Sequence, residues 1–173
     1  MKSNHQFVIL FRGLSPGKHD FTFDVDNNFF NDFEGSEINK GKVLVNIRLN
    51  KTANLLELDF NLKGKVIVTC DRCLDEFEMA VKYLTKLFVK FGDIAEEEED
   101  DEIIILSHAD GELDIKQYIY EYIHLSLPYK RVHPDKQGQS TCNKEMLKKL
   151  DEYTIREPKV SPLNDLKNLM NKN

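Results

Sequence analysis

Three cysteines and one histidine are the residues of this chain whose types and spacing could do chemistry. Cys70 and Cys73 form a C-x-x-C. His133 and Cys142 lie far downstream, on either side of a polar stretch, 134–141, that contains Gly138. A C-x-x-C at the end of a strand presents two thiolates from one tight turn, so both sulfurs can reach a zinc ion at about 2.3 Å. Cys142 as a third thiolate and His133 as a neutral imidazole complete a Cys3His set. The expectation is one structural zinc ion held by Cys70, Cys73, His133 and Cys142. Such an ion would pin the polar loop onto the sheet, because the loop has little apolar area of its own. The second half reads H-x8-C instead of a second C-x-x-C, and His108 and His124 are further donors for the fourth position.

Three other uses of the sulfurs compete. Free cysteines are often just small buried residues. A redox dithiol is a second use, although this C-x-x-C ends a strand and lacks the βαβ setting and helix N-terminus that lower a thiol pKa. A regulatory disulfide is the third. Other catalytic signatures are missing from the sequence: there is no glycine-rich phosphate loop, no nucleophile elbow and no His/carboxylate pair with recognisable spacing. Four protein ligands on a zinc leave no open position for chemistry. No enzyme is expected, and no small-molecule substrate.

The elements that must position these residues follow from periodicity. Gln6–Leu10 reads as a strand, Gly13–Gly17 as a turn, and His19–Val25 as an alternating strand with Phe21, Phe23 and Val25 on one side. Residues 27–31 are too polar at their edges to assign. Val43, Val45, Ile47 and Leu49 alternate with polar neighbours. After a 50–54 turn, Leu56, Leu58, Phe60 and Leu62 do the same, and Gly64 then opens a third strand, 65–70. Residues 77–91 fit period two nearly unbroken, and their β-branched and aromatic content favours a long strand over a helix. Ile103–Leu106 reads as a short buried strand. From Asp114, placed as a cap, apolar residues recur at three and four until Pro128. Further helices are predicted from residue 143 or 144 to about Tyr153 and, after Ser161-Pro162, over Leu163–Met170, with a linker at 154–160. The predicted fold class is α+β: a curved, partly barrel-like antiparallel meander followed by C-terminal helices. Residues 1–153 would form one domain, and 154–173 a linker and short helix.

Composition narrows the class. With 40% hydrophobic and 31% charged residues, the 173-residue chain can bury one core under a polar surface. No apolar run approaches the ~20 residues needed to span a bilayer. Met1–Phe7 lacks the apolar segment and cleavage site of a signal peptide, so a reducing, cytoplasmic setting is expected, in keeping with an odd number of cysteines. The net charge of −6 weighs against nucleic-acid binding, but residues 93–102 alone hold eight acidic side chains. Removing their −8 leaves the rest at about +2, so a basic face is permitted.

The residues around the C-x-x-C resemble a known family. Cys70-Asp71-Arg72-Cys73-Leu74-Asp75-Glu76-Phe77 is similar to the Cys-x-Arg-Cys-Leu-x-x-Phe signature of the YceD family of large ribosomal RNA subunit accumulation proteins. An acidic insert before Ile103, Leu113-Asp114-Ile115 opening a helix, Leu125-Ser126-Leu127-Pro128 closing it, and the tail Ser161–Leu169 follow in the family's order. The resemblance spans roughly residues 40 to 170. Many members carry several cysteines after the Leu-Pro; this chain has Tyr129–Pro134 and only Cys142. The resemblance implies a non-catalytic ribosome-biogenesis factor supporting synthesis, processing or stability of large-subunit (23S) ribosomal RNA. Its partner would be that RNA or a large-subunit ribosomal protein. The alternative is a small metal-handling or thiol-redox protein that uses the C-x-x-C.

An RNA role should leave an electrostatic footprint. Lys63, Lys65 and Arg72 cluster near the proposed third strand. Lys82, Lys86 and Lys90 would share one face of the 77–91 strand, and Lys130 and Arg131 adjoin the metal loop. An ordinary solvated face is the competing reading, since lysine is common on exposed strand positions. Tyr120 faces away from Tyr118 and Tyr122 on the predicted helix, so it is either a surface contact or a half-buried structural tyrosine.

Overall fold

The computed structural model describes residues 5–92, 103–136 and 139–154. The acidic run 93–102, Gly138, residues 155–160 of the expected linker and the expected helix Leu163–Met170 lie outside the described residues.

The protein is an α+β structure built on a meander. Strands β2 (Gly17–Val25), β3 (Lys40–Lys51), β4 (Leu55–Thr69) and β5 (Glu76–Phe91) pair antiparallel in chain order, preceded by β1 (Val8–Leu10) in a separate pairing. A fifth sheet strand, β6 (Ile103–Leu106), adds to the edge parallel to β5. The sheet therefore stays open between edges β2 and β6, and the expected barrel-like closure does not occur. The β3–β4 hairpin closes where the turn was expected: Thr52 N–H donates to the Leu55 carbonyl, and the Thr52 hydroxyl accepts the Leu55 N–H.

One correction concerns Gly64. The expected 56–62 and 65–70 strands are a single 15-residue strand that runs straight through it. Apolar burial keeps its period across the glycine, with Leu62 and Val66 both fully buried. The glycine is required by close approach: a Cβ there would lie 2.2 Å from the Lys42 carbonyl oxygen and 2.6 Å from the Val43 Cα. It marks where two backbones crowd, the second meaning of a strand glycine.

The core lies on one face of the sheet. Val43, Val45, Ile47 and Leu49 of β3 meet Leu56, Leu58, Phe60 and Leu62 of β4, all essentially inaccessible. Each fully buried side chain of this kind contributes about 1.5–3 kcal/mol. Two helices flank the sheet, α1 (Asn27–Asn31) and α2 (Lys116–Leu125); α2 covers that face with Ile119 and Ile123, and Tyr122 meets Phe60 edge-on at 5.1 Å. The observed N-cap is Ile115, and the expected cap Asp114, one residue earlier, accepts the Lys116 N–H at 2.8 Å. It also ends β7 (Glu112–Asp114), which pairs antiparallel with β1 and brings the N-terminal segment over the core. Before β1, the predicted strand begins instead as a 3-10 turn, His5–Phe7.

The unassigned 27–31 stretch is a short helix, α1 (Asn27–Asn31). Asp26 accepts the N–H groups of Asn28 and Phe29, while Phe29 and Phe30 are buried. Capping and burial together hold a single turn that has no helical propensity to speak of. Asp26→Ala is expected to cost about 1 kcal/mol in urea unfolding, with Asp24→Ala as the neutral control. Tyr120 stacks on Phe33 at 3.9 Å and is half-buried, which makes it a packing residue.

Candidate metal centre

The C-x-x-C occupies the tight turn between β4 and β5. Leu74 N–H donates to the Cys70 carbonyl and Cys70 N–H to the Asp75 carbonyl, and Leu74 closes the turn at φ 63°. Leu74 is a left-handed non-glycine residue, a conformation that costs energy and persists where surroundings enforce it. The segment after α2 folds back onto this turn. Asp71 N–H donates to the Arg131 carbonyl at 2.8 Å, and Arg131 N–H donates to the Asp71 carboxylate at 2.6 Å. This two-way clasp delivers His133. A two-residue ladder, β8 (Asp135–Lys136) with β9 (Gln139–Ser140), then returns the chain to Cys142. Helix α3 (Lys144–Tyr153) starts immediately after, capped by the Asn143 side chain on the N–H groups of Glu145 and Met146.

Cys70, Cys73, His133 and Cys142 converge, each with one ligand atom, and those atoms all lie within 4.8 Å of one another. Cys70 Sγ is 3.8 Å from Cys142 Sγ, and His133 Nδ1 is 3.5 Å from Cys73 Sγ and 3.7 Å from Cys142 Sγ. A tetrahedron with the usual Zn–S and Zn–N lengths has S···S edges of about 3.8 Å and S···N edges of about 3.6 Å. The donor set therefore fits a structural zinc in both chemistry and spacing. The three cysteines are free and buried, in a small cluster of their own with Phe77, Val132, Met146 and Leu147 packed around it. His108 and His124 are elsewhere: His108 faces Phe91 at 6.0 Å, and His124 Nδ1 pairs with the Tyr120 carbonyl on α2.

The electrostatics favour the anion at Cys70 and oppose it at Cys73. Burial alone would raise the Cys70 thiol, but the backbone N–H groups of Cys73, Arg72 and His133, with the His133 ring, outweigh it. They bring Cys70 from 9.0 to about 6. Burial raises Cys73, opposed by the N–H groups of Asn143 and Asp75 and reinforced by the neighbouring Cys70 and Cys142 sulfurs. Amide donors aimed at sulfur are what a thiolate needs and a thiol does not. The Phe77 ring stacks on His133 at 4.5 Å and fixes its plane.

The eight basic residues singled out for RNA divide into separate groups. Arg72 turns inward beneath the loop, where a terminal nitrogen donates to Ser140 Oγ at 3.2 Å and its Nε is buried without a partner. Arg131 pairs with Glu37 at 2.7 Å, and Lys130 is exposed beside it. Lys63, Lys65, Lys82, Lys86 and Lys90 stand on the sheet face opposite the core. There Lys86 is held by Glu57 and Asp59, whose bonds raise its pKa, and Lys65 is held by Glu78. Lys42, opposite Lys65 on β3, belongs to the same face and was not foreseen. Asp71, Phe77 and Asn143 were also missed. Only Asp71 and Phe77 carried a signal, by lying within the C-x-x-C signature.

Among the described residues, no helix is long and apolar enough to cross a membrane. No curated protein and no solved structure matches the chain. One family model does: that of YceD, large ribosomal RNA subunit accumulation protein, which covers residues 58–170 and so takes in the meander's last two long strands, the cysteine turn and the folded-back segment. On that match over well more than half its length, the chain belongs to the YceD family.

Proposed function

We propose that this chain is a non-catalytic ribosome-biogenesis factor of the cytoplasm that supports accumulation of large-subunit (23S) ribosomal RNA, with one structural zinc ion at Cys70, Cys73, His133 and Cys142. Membership of a family named for that accumulation carries the pathway. The observation that carries the structural role of the site is its closure: four ligand atoms are supplied by protein and packed by Phe77 and Leu147, which leaves no place for a substrate. The ion would supply no reaction step. Its role is to hold the 129–154 segment against the sheet, and with it Lys130 and Arg131. RNA or a large-subunit ribosomal protein is the partner, met through the basic residues of the sheet and of this segment.

The thiol-redox alternative has less support. Its sulfur pair would need an approach route, and both Cys70 and Cys73 are buried beneath the folded-back segment. The deciding experiment is removal of the gene in its host, with large- and small-subunit ribosomal RNA quantified. A large-subunit deficit restored by the wild-type copy is the expected result. Normal RNA in the deleted strain would sink the proposal.

A further inference from the structure

The sheet face opposite the core carries an uncompensated charge arrangement that folding alone does not explain. Lys63 and Lys82 are direct cross-strand partners of β4 and β5. Side chains so placed have Cβ atoms about 4.5–5.5 Å apart, and like charges there destabilise the sheet. Among the described residues neither lysine has a carboxylate within ion-pair distance. Their row continues through Leu44 to Asp24 at the edge, two strands away from Lys63 and thus roughly 9–10 Å off.

The neighbouring row is different. It runs Thr22, Asn46, Asn61, Leu84 across four strands. Thr22 donates to Asn46 Oδ1 at 3.1 Å, but Asn61 Oδ1 is buried and accepts nothing. Asn61 lies in a concavity of about 700 Å³ over which Leu84, 67% exposed, stands without cover. The row beyond is neutralised, Arg48 by Asp20 and Lys86 by Asp59. The free positive charge nearest the amide row therefore lies on its Lys63–Lys82 side; on the other side the adjoining row is neutralised, and Lys18 stands one row further out at the sheet edge.

A chain with anionic phosphates along one side and flat, hydrogen-bonding groups along the other fits this asymmetry. We propose that the open sheet face binds single-stranded RNA, with its phosphates between Lys63 and Lys82 and its bases over Asn61 and Leu84. Rotation of the Asn61 amide into the concavity gives its oxygen the donor it lacks, and an amide can pair with a base edge by both atoms. The phosphate relieves the repulsion between the lysines. A duplex cannot present its base edges to a row this narrow, so single strands are favoured. This surface rests on the RNA reading above for its ligand class, and it selects which of the predicted lysines make contact.

The test uses the full chain and a labelled RNA of about 12 nucleotides, single-stranded or annealed to its complement, with binding followed by fluorescence anisotropy across a salt series. Three results are expected. The single strand binds more tightly than the duplex. The double variant Lys63→Gln/Lys82→Gln weakens single-strand binding at least tenfold and flattens its salt slope by about 1.4, or 0.7 per phosphate contact. Lys63→Glu, which places opposite charges face to face, raises the melting temperature while weakening RNA binding, a divergence a purely structural lysine would not show. Binding unaffected by these variants, a preference for duplex, or no binding at low salt would each overturn the surface; the last would leave a protein partner for this face. Failure here is separable from failure of the function above. A deletion strain fully rescued by the double variant sinks the surface alone, and a deletion strain with normal RNA sinks the function alone.

Discussion

Replacing Cys142 by serine is expected to empty the metal centre and release residues 131–136 and 139–154, while leaving the sheet folded. Loss of a partner beyond the ligands themselves typically costs 10–100-fold in metal affinity. Loss of a thiolate should therefore exceed about 100-fold, enough for purified protein to lose its zinc. The structural consequence follows from where apolar area is. Helix α3 buries no residue fully, and the cysteine cluster is packed only by half-buried side chains. Without an ion, the 131–154 segment keeps the Asp71–Arg131 clasp, the Phe77–His133 stack and the Arg72–Ser140 bond, a few kcal/mol at most by ordinary hydrogen-bond worth. The meander holds a contiguous buried core that includes none of these residues. Metal analysis and hydrogen exchange check this together. The expected pattern is one zinc per wild-type chain and none in the variant, with protection lost over 131–154 and retained in β3 and β4. A wild-type protein that is metal-free, with three titratable thiols and full protection in 131–154, would remove zinc from the account.

Gly64→Ala should do the opposite, damaging the sheet and, through it, everything else. The added methyl would meet backbone on a paired strand, at 2.2 Å from the Lys42 carbonyl oxygen, and backbone cannot rotate away as a side chain tip can. Overpacking usually costs about 1–3 kcal/mol. This site belongs at or above the top of that range, because relief requires parting β3 from β4. For a domain of this size about 3 kcal/mol lowers the melting temperature by roughly 10 °C. Gly13→Ala, where a methyl meets nothing, is the control. Equal stability of the two variants would show that the strands can separate locally at little cost.

The period-two alternation of residues 43–62 and 77–91 was enough to identify the long strands, because a half-buried strand must alternate. Gly64 was misread for a definite reason: glycine signals a turn and a close backbone approach by the same missing Cβ, and only the partner strand separates them. The α1 turn was invisible because five residues carry too little period to detect; its cap and two buried phenylalanines act only once the core exists. Nothing local in Ile103–Leu106 distinguishes parallel from antiparallel pairing, so β6 was found but its direction was not. In the cysteine cluster, residue types were informative and the choice among histidines was not. His133 is selected over His108 and His124 by the clasp between Asp71 and Arg131, a contact across 60 positions. Register likewise decides which lysines are neutralised. Lys86 meets Asp59 and Lys82 meets Lys63, although both lysines look alike along β5.

The cysteine cluster also imposes an order on the life of each molecule. Cys70 and Cys142 touch across 72 positions. At 5–20 residues per second, the ribosome makes the second of them roughly 4–14 s after the first. Through that interval the β4–β5 turn is a half-clamp, with two sulfurs and no lid. Closure waits for His133 and Cys142, so a product truncated before Cys142 never completes it. A molecule whose thiols have become inaccessible has therefore been translated at least as far as Cys142.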